Sequence, residues 1–151
     1  MSGLVESDRS QRYLPDDWAL PMLNSLNRPF FTSGRLMLQR CMTCDQVQHP
    51  PLDVCHFCQG LDLHYEPADG RGRISSFTIV HRAADTRLDS IVPYNVVVVE
   101  LDDYPGVMIV GNVCNCPEDQ LSIGMPVRCT FAEVHDNETG DVLLLPQWER
   151  E

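Results

Sequence analysis

Cys41-Met-Thr-Cys44, then ten residues, then Cys55-His-Phe-Cys58: this stretch decides how the chain folds. Each C-x-x-C pair holds two thiolates at the span a single tetrahedral metal ion accepts, and two pairs close its shell with four sulfurs. The gap is shorter than the roughly 15–20 residues common in such sites, yet long enough for one strand out and one back. The alternatives are two redox pairs or two disulfides. A redox C-x-x-C opens a helix in a βαβ unit. Here Pro50-Pro51 sit between the pairs, and no long helical pattern follows either one. Four protein sulfurs leave no open position for a substrate, so this chemistry is architectural and the function lies elsewhere.

Around that motif the pattern is mainly β. Arg35-Leu-Met-Leu-Gln-Arg40 reads as a strand into the first knuckle, and Leu61-Asp-Leu-His-Tyr-Glu66 alternates as a half-buried strand does. Ile74–Val80, Tyr94–Leu101, Val107–Val113, Val127–Phe131 and Val142–Leu145 make five further strands. Tyr94–Leu101 is β-branched on both faces, which predicts a central strand. Pro117–Ser122 predicts one helical turn before the fourth strand. The count and spacing fit a five-stranded Greek-key barrel of the OB type. Residues 1–21 are polar and punctuated by Pro15 and Pro21, as an arm would be. Residues 22–33 predict one or two helical turns, limited by Pro29 and stopped at Gly34, with Phe30 and Phe31 as core anchors. The expected division is an arm with a short helix over 1–33, a four-cysteine metal ribbon over 34–66 and an OB domain over 67–151.

Composition narrows the function. Of 151 residues, 43% are hydrophobic, enough for a real core, and no apolar run is long enough for a membrane span. The first residues show neither a basic n-region nor an apolar h-region, and seven cysteines is an odd number. Both point to reduced thiols in a cytoplasmic setting. A net charge of −11 opposes nucleic-acid binding, which needs a basic patch. All 11 basic residues are arginine, so no lysine Schiff base and no P-loop lysine can form.

The order of several motifs resembles the DUF35 family. They are Phe31-x-x-Gly34-Arg-Leu-x-Leu-Gln-Arg-Cys41-x-x-Cys44, Pro50-Pro51, Cys55-x-x-Cys58, Gly70-Arg-Gly-x-Ile-x-Ser-Phe-Thr-Ile-Val-His81-Arg82, Tyr94-x-Val-Val-Val-Val-Glu-Leu-Asp102 and Ile123-Gly-Met-Pro-Val127. The resemblance covers residues 29–148. It implies a rubredoxin-like zinc ribbon followed by an OB fold, in an accessory subunit of a thiolase-like enzyme acting on acyl-CoA. By that resemblance the OB domain helps shape the active-site entrance or a CoA channel, while the ribbon and arm touch the partner. Two features depart from the family. The second knuckle reads Cys-His-Phe-Cys-Gln-Gly where Cys-Pro-x-Cys-Gly is common, and Cys114-Asn-Cys116 has no counterpart.

Cys41, Cys44, Cys55 and Cys58 are therefore the expected ligands of a structural Zn2+. Arg71, Arg73, His81, Arg82 and Arg87 cluster in sequence and are the expected contacts for CoA phosphates, because a guanidinium binds phosphate through paired hydrogen bonds. His49 and His56 read as structural and surface residues. Cys114 and Cys116 face one way if extended, leaving a second metal, a redox pair or packing open. Cys129 falls on an apolar strand face. No residue is assigned a catalytic role. The leading expectation is a non-catalytic subunit in a hetero-oligomer with a thiolase-like chain. The alternatives are a free-standing acyl-CoA-binding protein and, opposed by charge, a single-strand nucleic-acid binder.

Overall fold

The computed structural model describes residues 19–151. Most of the expected arm, residues 1–18, lies outside the described residues. The helical expectation shrinks to α1, Arg28–Thr32, with Pro29 in its first turn, where proline's missing N–H costs nothing. Gly34 ends the segment at φ +71°, a conformation that favours glycine. Phe30 is buried and Phe31 packs against the same core.

The ribbon is a three-stranded sheet in the order β2-β1-β3, with β1 at Leu36–Cys41, β2 at Val47–Gln48 and β3 at Leu63–Ala68. β1 and β3 pair antiparallel from Leu36↔Ala68 to Cys41↔Leu63, so the sheet continues past Glu66. Leu36 and Leu38 of β1 join Val97, Val99, Val127 and Trp148 of the second sheet in one core cluster. Ribbon and barrel therefore share buried apolar surface.

The second sheet has six strands, one more than expected, in the order β6-β5-β4-β8-β9-β7. β4 is Arg71–Val80, β5 Tyr94–Leu101, β6 Met108–Gly111, β7 Val113–Cys114, β8 Pro126–His135 and β9 Val142–Arg150. The extra strand arises because the expected 107–113 strand breaks at Asn112. β6 pairs with β5, and β7 crosses to pair with β9 in parallel. Asn95 holds the break: its Oδ1 accepts the Val113 N–H at 2.7 Å, and its Nδ2 donates to the Val113 carbonyl at 2.9 Å. The crossing closes the sheet into a barrel at that point, where Trp148 N–H also donates to the Asn112 carbonyl at 2.8 Å.

β5 lies between β4 and β6, as its sequence predicts. Only Asn95, Val97, Val99 and Leu101 are buried, however; Val96 and Val98 on the other face are half-buried. The expected helical turn is a short 3-10 helix at Glu118–Gln120, and the 83–92 connection carries another at Thr86–Leu88. Among the described residues no helix is long and apolar enough to cross a membrane.

Candidate functional site

The two knuckles are built alike. Cys41 O accepts the Asp45 N–H at 2.8 Å, and Cys55 O accepts the Gln59 N–H at 3.0 Å. Asp45 and Gln59 both take positive φ, 64° and 59°, which turns each chain back on itself. The two turns bring four sulfurs to one point: all lie within 4.8 Å of one another, with Cys41–Cys58 and Cys44–Cys55 at 3.6 Å. Zinc–sulfur bonds of about 2.3 Å in a tetrahedron place sulfurs about 3.8 Å apart, so the donor set fits a single four-thiolate ion. Backbone N–H groups of Phe57 and Gly60 each donate to a knuckle sulfur, Cys55 and Cys58, at 3.3 Å. Such donors favour thiolate over thiol. The Cys44 and then the Thr43 backbone N–H bring the Cys41 thiol down to about 6. Against the Gln46 and Gly60 N–H groups, burial and the neighbouring sulfurs push Cys44 up to about 12 and raise Cys58, so without a metal Cys41 is a thiolate beside the Cys44 and Cys58 thiols.

Two buried glutamines, missed in the sequence, hold the loop between the knuckles. Gln39 Oε1 accepts the Leu52 N–H, and its Nε2 donates to the Leu52 carbonyl, both at 2.9 Å. Gln48 Nε2 donates to Gln39 Oε1 at 2.6 Å, and Gln48 Oε1 accepts the His56 N–H at 2.7 Å. The available signal was Pro50-Pro51, a loop that cannot satisfy its own backbone by a ladder. His56 is exposed, whereas His49 packs on Phe30 with ring centroids 5.0 Å apart.

The five expected phosphate contacts do not converge. Arg71 and Arg73 stand at the start of β4, where Arg71 pairs with Glu151 at 3.2 Å and Arg73 donates to the Gly124 carbonyl at 3.0 Å. His81 and Arg82 follow its other end, about 30 Å away along ten residues of strand. Both are exposed and make no ion pair among the described residues. Arg87 forks onto Asp85, whose carboxyl that contact lowers to about 2.

Cys114 and Cys116 do not face one way, because Asn115 between them is left-handed at φ 55° rather than extended. Cys114 Sγ donates to Gln147 Oε1 at 2.8 Å and Cys116 Sγ to the Pro117 carbonyl at 3.5 Å. Burial pushes the Cys114 and Cys129 thiols up to about 12. Among the described residues the knuckle cysteines form the one cluster able to hold a metal.

Known proteins match this architecture part by part. The model of the ChsH2 rubredoxin-like zinc ribbon domain matches residues 32–64, and that of the ChsH2 C-terminal OB-fold domain matches residues 65–132. A probable enoyl-CoA hydratase alpha subunit of Thermomonospora curvata is 33% identical over 75% of this chain, but the chain spans only 35% of that protein. A DUF35 domain-containing scaffold protein of Methanocaldococcus jannaschii is 28% identical over 68% of this chain and 70% of its own length. A solved chain of the Ltp2-ChsH2(DUF35) aldolase superposes with a TM-score of 0.71 and 30% identity, covering 87% of this chain and 98% of that one. With both domain models in register and a solved relative matched over almost its whole length, the chain belongs to the ChsH2 (DUF35) family of zinc-ribbon and OB-fold proteins.

Proposed function

We propose that this chain is a non-catalytic accessory subunit that docks on a thiolase-superfamily enzyme and helps shape the entrance through which acyl-CoA reaches it. The single observation behind this reading is the likeness to the DUF35 chain of an aldolase over 98% of that chain. Physical features agree with it. The four-sulfur site accommodates a zinc ion whose shell the protein completes, so the metal clips the two knuckles together and folds the ribbon. The ribbon presents Phe57 and Leu61 to solvent at 53% and 79% exposure, beside exposed Met42. Three exposed apolar side chains on so small a module suit a protein interface.

CoA contact through Arg71, Arg73, His81, Arg82 and Arg87 remains part of this reading. His81 and Arg82 carry it best, since a carboxylate already holds Arg71 and Arg87. Arg82 has a fork of donors for a phosphate.

Affinity purification of the tagged chain from its native cell tests the reading. A thiolase-like polypeptide is expected to co-purify, and the complex to turn over an acyl-CoA that the chain alone leaves unchanged. Recovery of the chain with no such polypeptide, or turnover by the chain alone, overturns it.

A further inference from the structure

The two knuckles turn alike but are not held alike. In the first, the N–H after the leading cysteine belongs to Met42, and the Asp62 carbonyl at the mouth of β3 accepts it at 2.8 Å. In the second, the matching N–H belongs to His56, and no strand carbonyl meets it. Gln48 Oε1 accepts it instead, at 2.7 Å. Gln48 Nε2 reaches the same segment again, donating to the Val54 carbonyl at 3.3 Å. Among the described residues, these are the only hydrogen bonds from residues 53–60 to the three-stranded sheet besides the contacts of the cysteine sulfurs.

Gln48 is itself held. It sits directly opposite Gln39 in the β1–β2 register, both side chains are buried, and Gln48 Nε2 donates to Gln39 Oε1 at 2.6 Å. Gln39 in turn engages both backbone polar groups of Leu52, at 2.9 Å each. All four amide polar atoms of the pair have partners, so the network is complete and fixes one arrangement. Its two ends are the second knuckle and the loop beyond β2. That loop carries His49 and Pro50 to the barrel, where β6 pairs only with β5 and β9 meets β7 only at Trp148 and Glu149. The strands diverge below Asn112 and leave an uncharged wedge between Met108–Asn112 and Leu145–Gln147, with His49 and Pro50 on its third side beside Phe30 and Phe31.

We infer that Gln48, buttressed by Gln39, is a positioning residue for the metal: its side chain supplies the acceptor that the first knuckle takes from backbone, and so holds Cys55 and Cys58 in place for the ion. Groups one layer out from a metal orient its ligands, and losing one typically costs about 10–100-fold in affinity. Here the loss falls on one half of the shell, because Cys41 ends β1 and Met42 keeps its backbone partner. The coupling is reciprocal: if the metal orders the loop, the glutamines that order the loop raise metal affinity by the same factor.

The test compares full-length wild type, Gln48→Met, Gln39→Met and Gln147→Met, each loaded with Zn2+ or Co2+. Methionine keeps the length of glutamine and removes its hydrogen bonds. Gln147 is equally buried but lies on β9 of the barrel, so its variant controls for destabilisation alone. Chelator competition should show zinc affinity weakened at least about tenfold by Gln48→Met, or about 1.4 kcal/mol, and unchanged by Gln147→Met. The d–d absorption of bound Co2+, which reads the symmetry of the sulfur shell, should shift in the first and not in the second. Limited alkylation of the zinc-loaded chain, read by peptide mass spectrometry, should rise at Cys55 and Cys58 relative to Cys41 and Cys44 in Gln48→Met. Gln39→Met leaves the His56 bond and removes the buttress, so it should move the same two cysteines by less. It also serves as the test if loss of barrel amide protection shows that Gln48→Met does not fold. Wild-type affinity and an unchanged Co2+ spectrum in the ribbon variants, a loss shared by Gln147→Met, labelling that rises equally in both knuckles, or a wild-type chain that binds neither ion overturns the inference.

Discussion

Glu66→Gln should destabilise the protein by about 2 kcal/mol at neutral pH, because one carboxylate joins the ribbon to the barrel. Arg40 on β1 donates to Glu66 on β3 through Nε and, at 3.1 Å, through Nη2. Tyr104, in the turn between β5 and β6, donates its hydroxyl to the same carboxylate at 2.8 Å. The two charged side chains are about one-quarter to one-third exposed, 27% and 30%. Solvent screening is therefore partial, and a hydrogen bond to a charged group contributes about 1.5–3 kcal/mol. The Arg40 contact, followed by that of Tyr104, holds the Glu66 carboxyl below its ordinary value of 4.5. A depressed carboxyl stabilises the fold above its unfolded value and stops doing so as pH falls through its folded one. The gap between wild type and variant should therefore be constant above about pH 5 and begin to narrow below it. In a chain of this size each kcal/mol moves the melting temperature by roughly 2–4 °C, so the variant should melt about 4–8 °C lower at pH 7. Tyr104→Phe keeps the ring and removes one donor, and a double-mutant cycle with Glu66→Gln should show a coupling of about 1 kcal/mol. Thermal and urea unfolding of the zinc-loaded proteins between pH 4 and 8 would measure both. A variant as stable as wild type at pH 7, or a gap that persists undiminished in acid, refutes the reasoning.

Cys55→Ser, or chelation at neutral pH, should unfold the knuckle segment 41–60 while leaving barrel amides protected from exchange, since structural zinc supplies on the order of 10 kcal/mol to such modules; elemental analysis should find one metal per chain before treatment. Gly72→Ala should cost at least about 2 kcal/mol by urea unfolding, because a Cβ there would meet the Glu100 carbonyl oxygen at 2.4 Å and Val99 Cγ1 at 2.6 Å. Cys114, buried, and Cys129, half-buried, are held as thiols with values near 12 and should resist a thiol reagent at pH 8 in the folded protein and react fully in urea; rapid labelling of the folded chain at Cys114 would refute this.

What the sequence made legible was local. A C-x-x-C knuckle is a turn of a few residues, so its pattern carries its own geometry, and the structure closes four sulfurs where the spacing predicts. The β-branched run Tyr94–Leu101 is long enough to fix a strand whatever surrounds it. The extra strand was set by a distant residue. Nothing in Met108-Ile-Val-Gly-Asn-Val113 marks an end; the strand breaks because Asn95, 18 residues earlier, captures Val113 from a neighbouring strand. How the arginine cluster is laid out in space was not legible in sequence either. Residues close in sequence are close in space only when the chain turns between them, and the ten residues of β4 put Arg71 and Arg73 at one end and His81 and Arg82 beyond the other.

That same strand break sets where the barrel closes. A chain that stayed with β5 through Val113 would leave a wider opening, and one that crossed to β9 earlier would seal the barrel. Crossing at Asn112 joins the two sheet ends at one point and holds them apart below it. Trp148, fully buried beneath Gly111, fixes that point: a Cβ at position 111 would meet the indole at 3.0 Å. The ribbon then supplies what the barrel lacks. Its loop, pinned by Gln39 and Gln48, carries His49 and Pro50 to the third side of the opening. Loss of a metal from the four sulfurs should part the knuckles, loosen the loop and cost the wedge a wall, which hydrogen exchange at Gln48–Leu52 would report. The four cysteines thus act on the barrel at a distance, through the loop they anchor, and a structural metal site becomes a condition for the shape of the barrel's apolar cleft.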